Sequence, residues 1–325
     1  MCKLQLPDNH LLFLIQQAKQ NYQVCHQKRK RGKPLIYSSR SFWLLNLVAI
    51  LLRAFSASEL HLLLTKDEVL RKVLDFEQVP HRKTIARRIN TLTTIGEQQI
   101  AAFGFRILTT FAIPNQSVSA IDGRMYEALG PLWHKKDRQQ HQVPSKLRNV
   151  DTESEWFKSG YRGWIQGYRL VLQGLVFPQP VPLFAVWRSN NEGESSIVKE
   201  AIRAEKLPIT DVMLGDETFG GEQLTTLYGQ QGGYLLTPKQ FSKKNRTWKN
   251  DLFEYRKETI ELLFQRVIQA TDIKECKVKG LGKNGAFVLA SVWLYQLVFW
   301  CNYQASKPLT IIKEQVDLAR WRVPI

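Results

Sequence analysis

The hydrophobic pattern of this chain changes at about residue 113, and this change constrains the fold more than any other feature. From about 41 to 110 the apolar residues have helical spacing, with a break at Pro80. After 113, apolar runs of strand length predict strands over 117–122, 164–175 and 181–189, a strand that starts near 212 and ends at Asp216, and a strand over 233–239. Helical segments follow the third strand and separate the later ones. Three strands followed by alternating helices and strands predict an α/β sheet with helices on its faces.

The chain has 325 residues, of which 44% are hydrophobic, so it can bury a large core and is expected to form two domains. We expect a helical, basic region over 1–112, an α/β domain over 113–308 and a short tail over 309–325.

The formal net charge of +17 indicates a polyanionic partner, with mere solubility as the alternative. Residues 1–112 hold 17 Lys or Arg against 7 Asp or Glu. A basic loop and a basic helix carry much of this excess and are predicted to contact DNA phosphates. The residues are Lys28, Arg29, Lys30 and Arg31 in the loop, and Arg82, Lys83, Arg87 and Arg88 in the helix. A solvated helix face explains the second group about equally well.

The four cysteines are scattered, without CxxC pairs or zinc spacing, which favours a reducing, cytoplasmic location. The start of the sequence lacks the pattern of a signal peptide. Two apolar stretches, 41–55 and 286–300, could be taken for membrane spans, although the first is short and only the second approaches the length of a span. Polar residues interrupt both, so we interpret them as core helices and expect no membrane partner.

Two apolar strands each lead into an acid. In "VSAIDGRMYE" the strand reaches Asp122, and in "DVMLGDETFGG" it reaches Asp216. If these strands are neighbours in the sheet, the two carboxylates meet at one edge. The alternative is that Asp122 caps a turn and Asp216 caps the following helix.

A third acid is expected from the helix "YRKETIELLFQRVIQA". Its apolar residues recur at i, i+3, i+4, i+7 and i+8 from Ile260. Glu261 lies near the border of that stripe and Glu258 well outside it, so Glu261 is the predicted partner of the two Asp residues. Asp137, Asp151, Glu153 and Glu155, in a polar connection, are reserve ligands only.

Taken in order, these segments resemble insertion-sequence transposases of the DDE type. "SAIDGR" resembles the first acidic strand of that family, "LGDETFGG" its second motif and "KETIELLFQRV" its third. "RGKPLIYSS" and "HRKTIARRI" are similar to stretches of its amino-terminal region, and "WIQGYRLVL" to the strand after the first Asp. The resemblance implies a ribonuclease-H-like catalytic domain, preceded by an all-α amino-terminal domain.

The resemblance also implies a function. Asp122, Asp216 and Glu261 would be the catalytic acids and would hold Mg²⁺, two ions in all, with Mn²⁺ as a substitute. The protein would cut the ends of an insertion sequence and join them to target DNA, as a homo-oligomer assembled on double-stranded DNA. Lys257, where the family usually has Arg, would contact DNA. Ile268 stands where the family often has Lys or Arg, which leaves open an inactive DNA-binding relic or a nuclease of the same fold.

Overall fold

The structure is a computed structural model, and it describes residues 10–24, 36–111, 116–140, 142–160, 162–177, 179–240 and 246–320. Within these ranges the chain is a mixed α/β protein, in which helices flank one mixed sheet.

Twelve α-helices occur in the described residues. They are α1 (His10–Asn21), α2 (Ser39–Leu52), α3 (Ala57–Lys66), α4 (Glu68–Val73), α5 (Arg82–Ile89), α6 (Thr93–Phe111), α7 (Lys135–Gln139), α8 (Glu194–Arg203), α9 (Glu222–Gln230), α10 (Arg246–Thr271), α11 (Leu281–Gln304) and α12 (Ile312–Arg320). Short 3₁₀ turns cover Glu217–Phe219 and Pro238–Gln240.

Within the described ranges, six strands form the sheet. They are β1 (Val118–Glu127), β2 (Glu155–Ser159), β3 (Gly163–Phe177), β4 (Val181–Ser189), β5 (Val212–Leu214) and β6 (Tyr234–Leu236). The first three predicted strands correspond to β1, β3 and β4, and the two later ones to β5 and β6. Only β2 was not predicted, because "EWFKS" is short and lies within a polar connection.

The strand order is β2-β3-β1-β5-β6, and β4 also pairs with β3. The long strand β3 is antiparallel to β1, β2 and β4, whereas β5 is parallel to both β1 and β6. The pairing of β1 with β5 covers only Val118–Ala120 on β1. Beyond Ala120, β1 therefore continues past the paired part of β5, and Asp122 lies in this continuing part.

Helices cover both faces of the sheet. On one face, Ile121 and Val171 join a buried cluster with Val198 of α8 and Leu224 of α9. On the other face, Leu263 of α10 approaches Gly174 of β3 so closely that a Cβ there would lie 2.3 Å from its side chain. Burial of these apolar side chains, at roughly 25 cal/mol per Å², is what fixes the helices on the sheet.

The chain divides into two compact units, each built from more than one segment. Unit 1 comprises Met1–Gln99, Val267–Ile273 and Gly282–Ile325, and unit 2 comprises Ile100–Arg266 and Lys274–Leu281. The predicted divisions 1–112, 113–308 and 309–325 are stretches of consecutive sequence, and they stay predictions.

Unit 1 contains both apolar stretches noted in the sequence. The rings of Trp43 and Trp293 lie 5.8 Å apart, and Asn46 Nδ2 donates to the Ala286 carbonyl at 2.7 Å. By length and composition α11 could cross a membrane, as could the bent pair of α2 and α3, but 94% of the most apolar window of α11 is buried. In the structure both stretches are buried helices, as predicted.

Candidate metal centre

Asp122 lies on β1, opposite Leu172 of β3. Its Oδ1 accepts a hydrogen bond from the Gly123 backbone N–H at 2.8 Å. Its Oδ2 lies 3.8 Å from Arg256 Nη1 on α10. The local bond engages only one of the two oxygens, so the carboxylate is not consumed by a turn.

Asp216 follows β5 by two residues. Because Ala120 pairs with Leu214 in parallel, the same register continued by two residues sets Asp216 beside Asp122. Asp216 Oδ1 accepts from the backbone N–H of Thr218 at 2.8 Å and from its hydroxyl, and so caps the 3₁₀ turn Glu217–Phe219. The capping alternative is therefore correct for one oxygen of Asp216, and this cap orients the side chain toward Asp122.

Glu194 completes a group of three carboxylates, and the sequence did not predict it. One oxygen from each of Asp122, Glu194 and Asp216 lies within 4.8 Å of the other two. Glu194 is the first residue of α8, which follows β4. Its Oε2 accepts from the Thr218 hydroxyl at 3.2 Å, so Thr218 bonds to both Glu194 and Asp216.

Gly123 allows Glu194 to reach this position. A Cβ on Gly123 would lie 2.2 Å from Glu194 Oε1, which is closer than real atoms approach. The glycine after the first acid therefore has a steric reason: the Glu194 carboxylate occupies the space that a side chain would take.

Two arginines flank the three acids. Arg169 on β3 is 1% exposed, and its Nε lies 3.3 Å from Glu194 Oε1. Its Nη1 donates to the Glu192 carbonyl at 2.8 Å, and its guanidinium stacks on Phe157 at 4.2 Å. Its Nη2 makes no hydrogen bond within the part of the chain that the structure describes. The buried guanidinium thus lies beside the Glu194 carboxylate and offsets part of its negative charge.

Burial makes the ionised forms of Asp122 and Glu194 less favourable. Burial raises the pKa of the Asp122 carboxyl to about 7, with repulsion from Asp216 and Glu194 adding to the shift and Arg256 opposing it. Burial also raises the pKa of Glu194, and Arg169 partly offsets this. A cation bound among the three oxygens would reverse both shifts, since it favours the ionised form.

The oxygens suit a hard divalent ion. Mg²⁺ takes oxygen ligands at about 2.0–2.1 Å and keeps several waters, so two ligands on one ion lie about 3 to 4 Å apart. The separation of up to 4.8 Å among the three carboxylates is close to this range. The three carboxylates could therefore supply ligands to one ion.

The structure does not bring Glu261 to the other two predicted acids. The stripe of α10 that packs on the sheet is buried, as expected, at Ile260 and Leu263. Arg256, one turn before Ile260, lies on that stripe, and it is the α10 side chain that reaches Asp122. Glu261 is about 100° round the helix from Ile260 and is exposed, as Glu258 is.

Glu194 carried only a weak sequence signal. It follows a strand parallel to β1, so it lies at the edge where the two Asp residues were predicted. The helix dipole by itself favours an acid in the first turn of any helix, so Glu194 did not stand out in the sequence as a site residue.

The predicted DNA-binding residues fall into three groups. Lys28, Arg29, Lys30 and Arg31 lie outside the described residues. Arg82, Lys83 and Arg87 are exposed on α5, as is Lys257 on α10. Arg88 is partly buried: it stacks on Phe42 at 5.2 Å and donates to the Ser39 hydroxyl at 3.1 Å, so it also holds α5 against α2.

No protein-family model matches the sequence, and no curated protein matches it. Three solved structures have a remote likeness to the chain, and each alignment covers 84% of this chain and 81% of the other. They are the Mos1 transposase paired-end complex with left transposon end (10% identity, TM-score 0.23), a pre-cleavage Mos1 transpososome (9%, 0.20) and the Mos1 mariner paired end complex with Mn (8%, 0.22). Values this low carry no argument about this chain. The case for a function therefore rests on the carboxylates themselves.

Proposed function

We propose that this chain is a metal-dependent DNA transposase of the DDE type, which cuts the ends of an insertion sequence and joins them to target DNA. The observation that carries the proposal is the meeting of three carboxylates, from separate parts of the chain, beside the ends of strands in a mixed sheet. The strand order supports the ribonuclease-H-like fold within this proposal. With β4 beside β3, the order β4-β3-β1-β5-β6 has only β3 antiparallel to the rest.

Asp122, Glu194 and Asp216 would hold Mg²⁺, with Mn²⁺ as a substitute, and a second ion is part of the proposal. A divalent ion held there supplies Lewis-acid stabilisation of the charge that develops on the phosphodiester. Glu194 takes the place that the sequence predicted for Glu261. The partner is double-stranded DNA, and the protein would act as a homo-oligomer on it.

The side chains around the acids have separate tasks. Arg169 holds Glu194 in place and offsets its charge, while Arg256 offsets Asp122. Thr218 links Asp216 and Glu194, because its backbone N–H donates to Asp216 and its hydroxyl lies within hydrogen-bond distance of both carboxylates. Ligands fixed in this way are preorganised, so little reorganisation is needed when the ion and the phosphate bind.

A cleavage assay tests this proposal, with labelled duplexes that carry the DNA flanking the insertion sequence. Cleavage should require Mg²⁺ or Mn²⁺ and stop with a chelator. Loss of one preorganised electrostatic group typically costs ~10²-fold or more in rate, so Glu194→Gln should slow cleavage at least that much.

Glu261→Gln is the matched control, because it makes the same change on an exposed face of α10. Equal activity in Glu194→Gln and the unsubstituted protein, together with a large loss in Glu261→Gln, would restore Glu261 as the third ligand. Joined products distinguish a transposase from a nuclease, and binding without cleavage would identify an inactive relic.

A further inference from the structure

We propose that the β2–β3 hairpin forms a second surface for duplex DNA, in unit 2, together with the connection between β1 and β2 that packs on its base. We call it the hairpin surface. Its members are all exposed: Lys136, Lys146, Arg148, Lys158, Arg162 and Trp164. This inference extends the proposed function, whose predicted DNA contacts lie elsewhere in the chain.

The hairpin extends the sheet past its neighbours. Strand β3 pairs with β1 from Gly167 to Phe177, so the segment before Gly167 pairs only with β2 in the described structure. Lys158 and Trp164 are directly opposite each other in that pairing, and their side chains share one face. Trp164 is 58% exposed, which is unusual for so large an apolar side chain.

The base of the hairpin is fixed by hydrogen bonds to the connection between β1 and β2. Trp156 Nε1 donates to the Trp133 carbonyl, and Trp133 N–H donates to Gln166 Oε1 at 2.7 Å. Arg138 binds both the Ser154 carbonyl and Glu155. These bonds hold the connection against β2 and β3. The connection therefore covers the part of this sheet face near Gln166, whereas Trp164, further along β3, stays exposed.

Charge identifies the occupant. Residues 128–163 contain seven Lys or Arg and four Asp or Glu. Three of the acids bind groups of the protein itself: Asp151 accepts from the Tyr168 hydroxyl and the Gly280 N–H, Glu153 accepts from the Leu281 N–H, and Glu155 pairs with Arg138. Arg162 pairs with Glu127, and Lys136, Lys146, Arg148 and Lys158 face solvent, so the surface keeps a cationic character that suits a phosphate backbone. An aromatic ring among cations adds an apolar contact to sugar or base.

Strand geometry gives the reach of this surface. Asp122 is opposite Leu172, and Trp164 lies eight residues further along β3. At about 3.3 Å per residue, the tip lies at most about 26 Å from the carboxylates along the strand. A duplex following the strand rises about 3.4 Å per base pair, so the hairpin should contact DNA up to about eight base pairs from the cleaved phosphate.

Salt-dependent binding to a duplex tests the proposal, measured with a chelator present so that cleavage does not contribute. A triple variant, Lys146→Gln with Arg148→Gln and Lys158→Gln, should bind more weakly. Its log-log slope of affinity against salt should be shallower by about 0.9 for each lost phosphate contact. The matched control is Arg203→Gln with Lys206→Gln and Lys274→Gln, three exposed cations of unit 2 outside the hairpin surface. Its slope should stay unchanged.

Trp164→Ala should lower affinity without changing the salt slope, because an apolar contact releases no counterions, and Trp164→Phe should recover part of the loss. An unchanged slope in the triple variant, or an equal change in the control, overturns the proposal. The proposal is also overturned if the triple variant binds DNA normally and only the molar mass of the protein in solution changes. That result would assign the surface to contact with a second copy of the chain.

Backbone footprinting on cleavable DNA provides a second, positional measurement. Protection up to about eight base pairs from the cleaved phosphate, lost in the triple variant, is the expected result. Protection confined to the cleaved phosphate would overturn the proposal. A chain that binds through the hairpin but never cleaves would refute the proposed function and leave the hairpin surface intact.

Discussion

Gly123 lies where a side chain would collide with Glu194, and this makes a single methyl group a sharp probe of the site. Gly123→Ala should displace the Glu194 carboxylate, because the added Cβ would meet Oε1 at 2.2 Å. Misplacing a catalytic group by about 1 Å can cost ~10²-fold in rate, so metal-dependent cleavage should fall by about that factor. The fold should persist, since the far end of a flexible side chain can move.

Gly229→Ala is the control for that change. Gly229 is within α9, and a Cβ there would meet nothing within 4 Å. The substitution should stabilise the protein by about 0.5–1 kcal/mol and leave cleavage unchanged. Full activity in Gly123→Ala would show that Glu194 is not needed.

The raised pKa of Asp122 predicts how stability depends on pH when no metal is bound. Its pKa rises from an ordinary value of 3.8 to about 7 on folding. The folded state therefore binds more protons than the unfolded state between these values, so stability falls as pH rises through this window. Above about pH 7 the full cost is present.

Thermal unfolding with a chelator, from pH 5 to pH 8, measures this effect. Asp122→Asn should flatten the decline, because the amide does not titrate. Added Mg²⁺ should restore stability at pH 8 by binding the folded form. A metal-free protein whose stability rises across this range to the same extent with and without Asp122 would contradict the assigned pKa.

At the scale of elements, Arg169 connects β3 to α8 through Glu194. Both groups are largely buried, with side chains 2% and 13% exposed. Removing one partner of a buried ion pair leaves a desolvated charge and typically costs about 3–5 kcal/mol. Arg169→Met should lower the free energy of unfolding by about that amount, as measured in urea.

Replacing Glu194 by Met as well should recover part of the loss, because no unpaired charge remains. Lys313→Met, which breaks the exposed pair with Asp317 on α12, should cost less than about 1 kcal/mol. If the Arg169 and Lys313 variants lose equal stability, the charge pair is not what couples β3 to α8.

The elements were predicted well where local pattern determines them and poorly where it does not. The run "VPLFAVWRS" gave β4 with its observed ends, since a continuous apolar strand is clear in sequence. The proximity of Asp122 and Asp216 was predicted correctly, because it follows from the ends of two strands, β1 and β5, that are neighbours in the sheet. The position of Glu194 depends on how the chain after β4 returns toward β1, and no local sequence pattern encodes that path. The role given to Glu261 assumed that the border of an apolar stripe faces the sheet edge, whereas Arg256 fills that place.

For the whole molecule, DNA binding and metal binding depend on different charges: the chain has a net charge of +17, whereas the candidate metal centre is acidic. Cationic side chains on α5 and on the hairpin surface attract phosphate over the Debye length, about 10 Å at 0.1 M salt. The three acids occupy a small, half-buried area and contribute negative charge there. Affinity for DNA and cleavage of DNA should therefore respond to different substitutions.

Asp216→Asn tests this separation. The amide keeps the shape and one oxygen, so the cap on Thr218 is preserved, but it removes one negative charge from the three-carboxylate group. Metal affinity should fall, and cleavage should slow by ~10²-fold or more. Duplex binding in a chelator should persist or become tighter, because a carboxylate that repels phosphate has been removed. Glu258→Gln, the same type of change on the exposed face of α10, should alter neither property. Parallel loss of binding and cleavage in Asp216→Asn would mean that the acids serve the fold rather than the chemistry, and near-normal cleavage would remove Asp216 from the metal site.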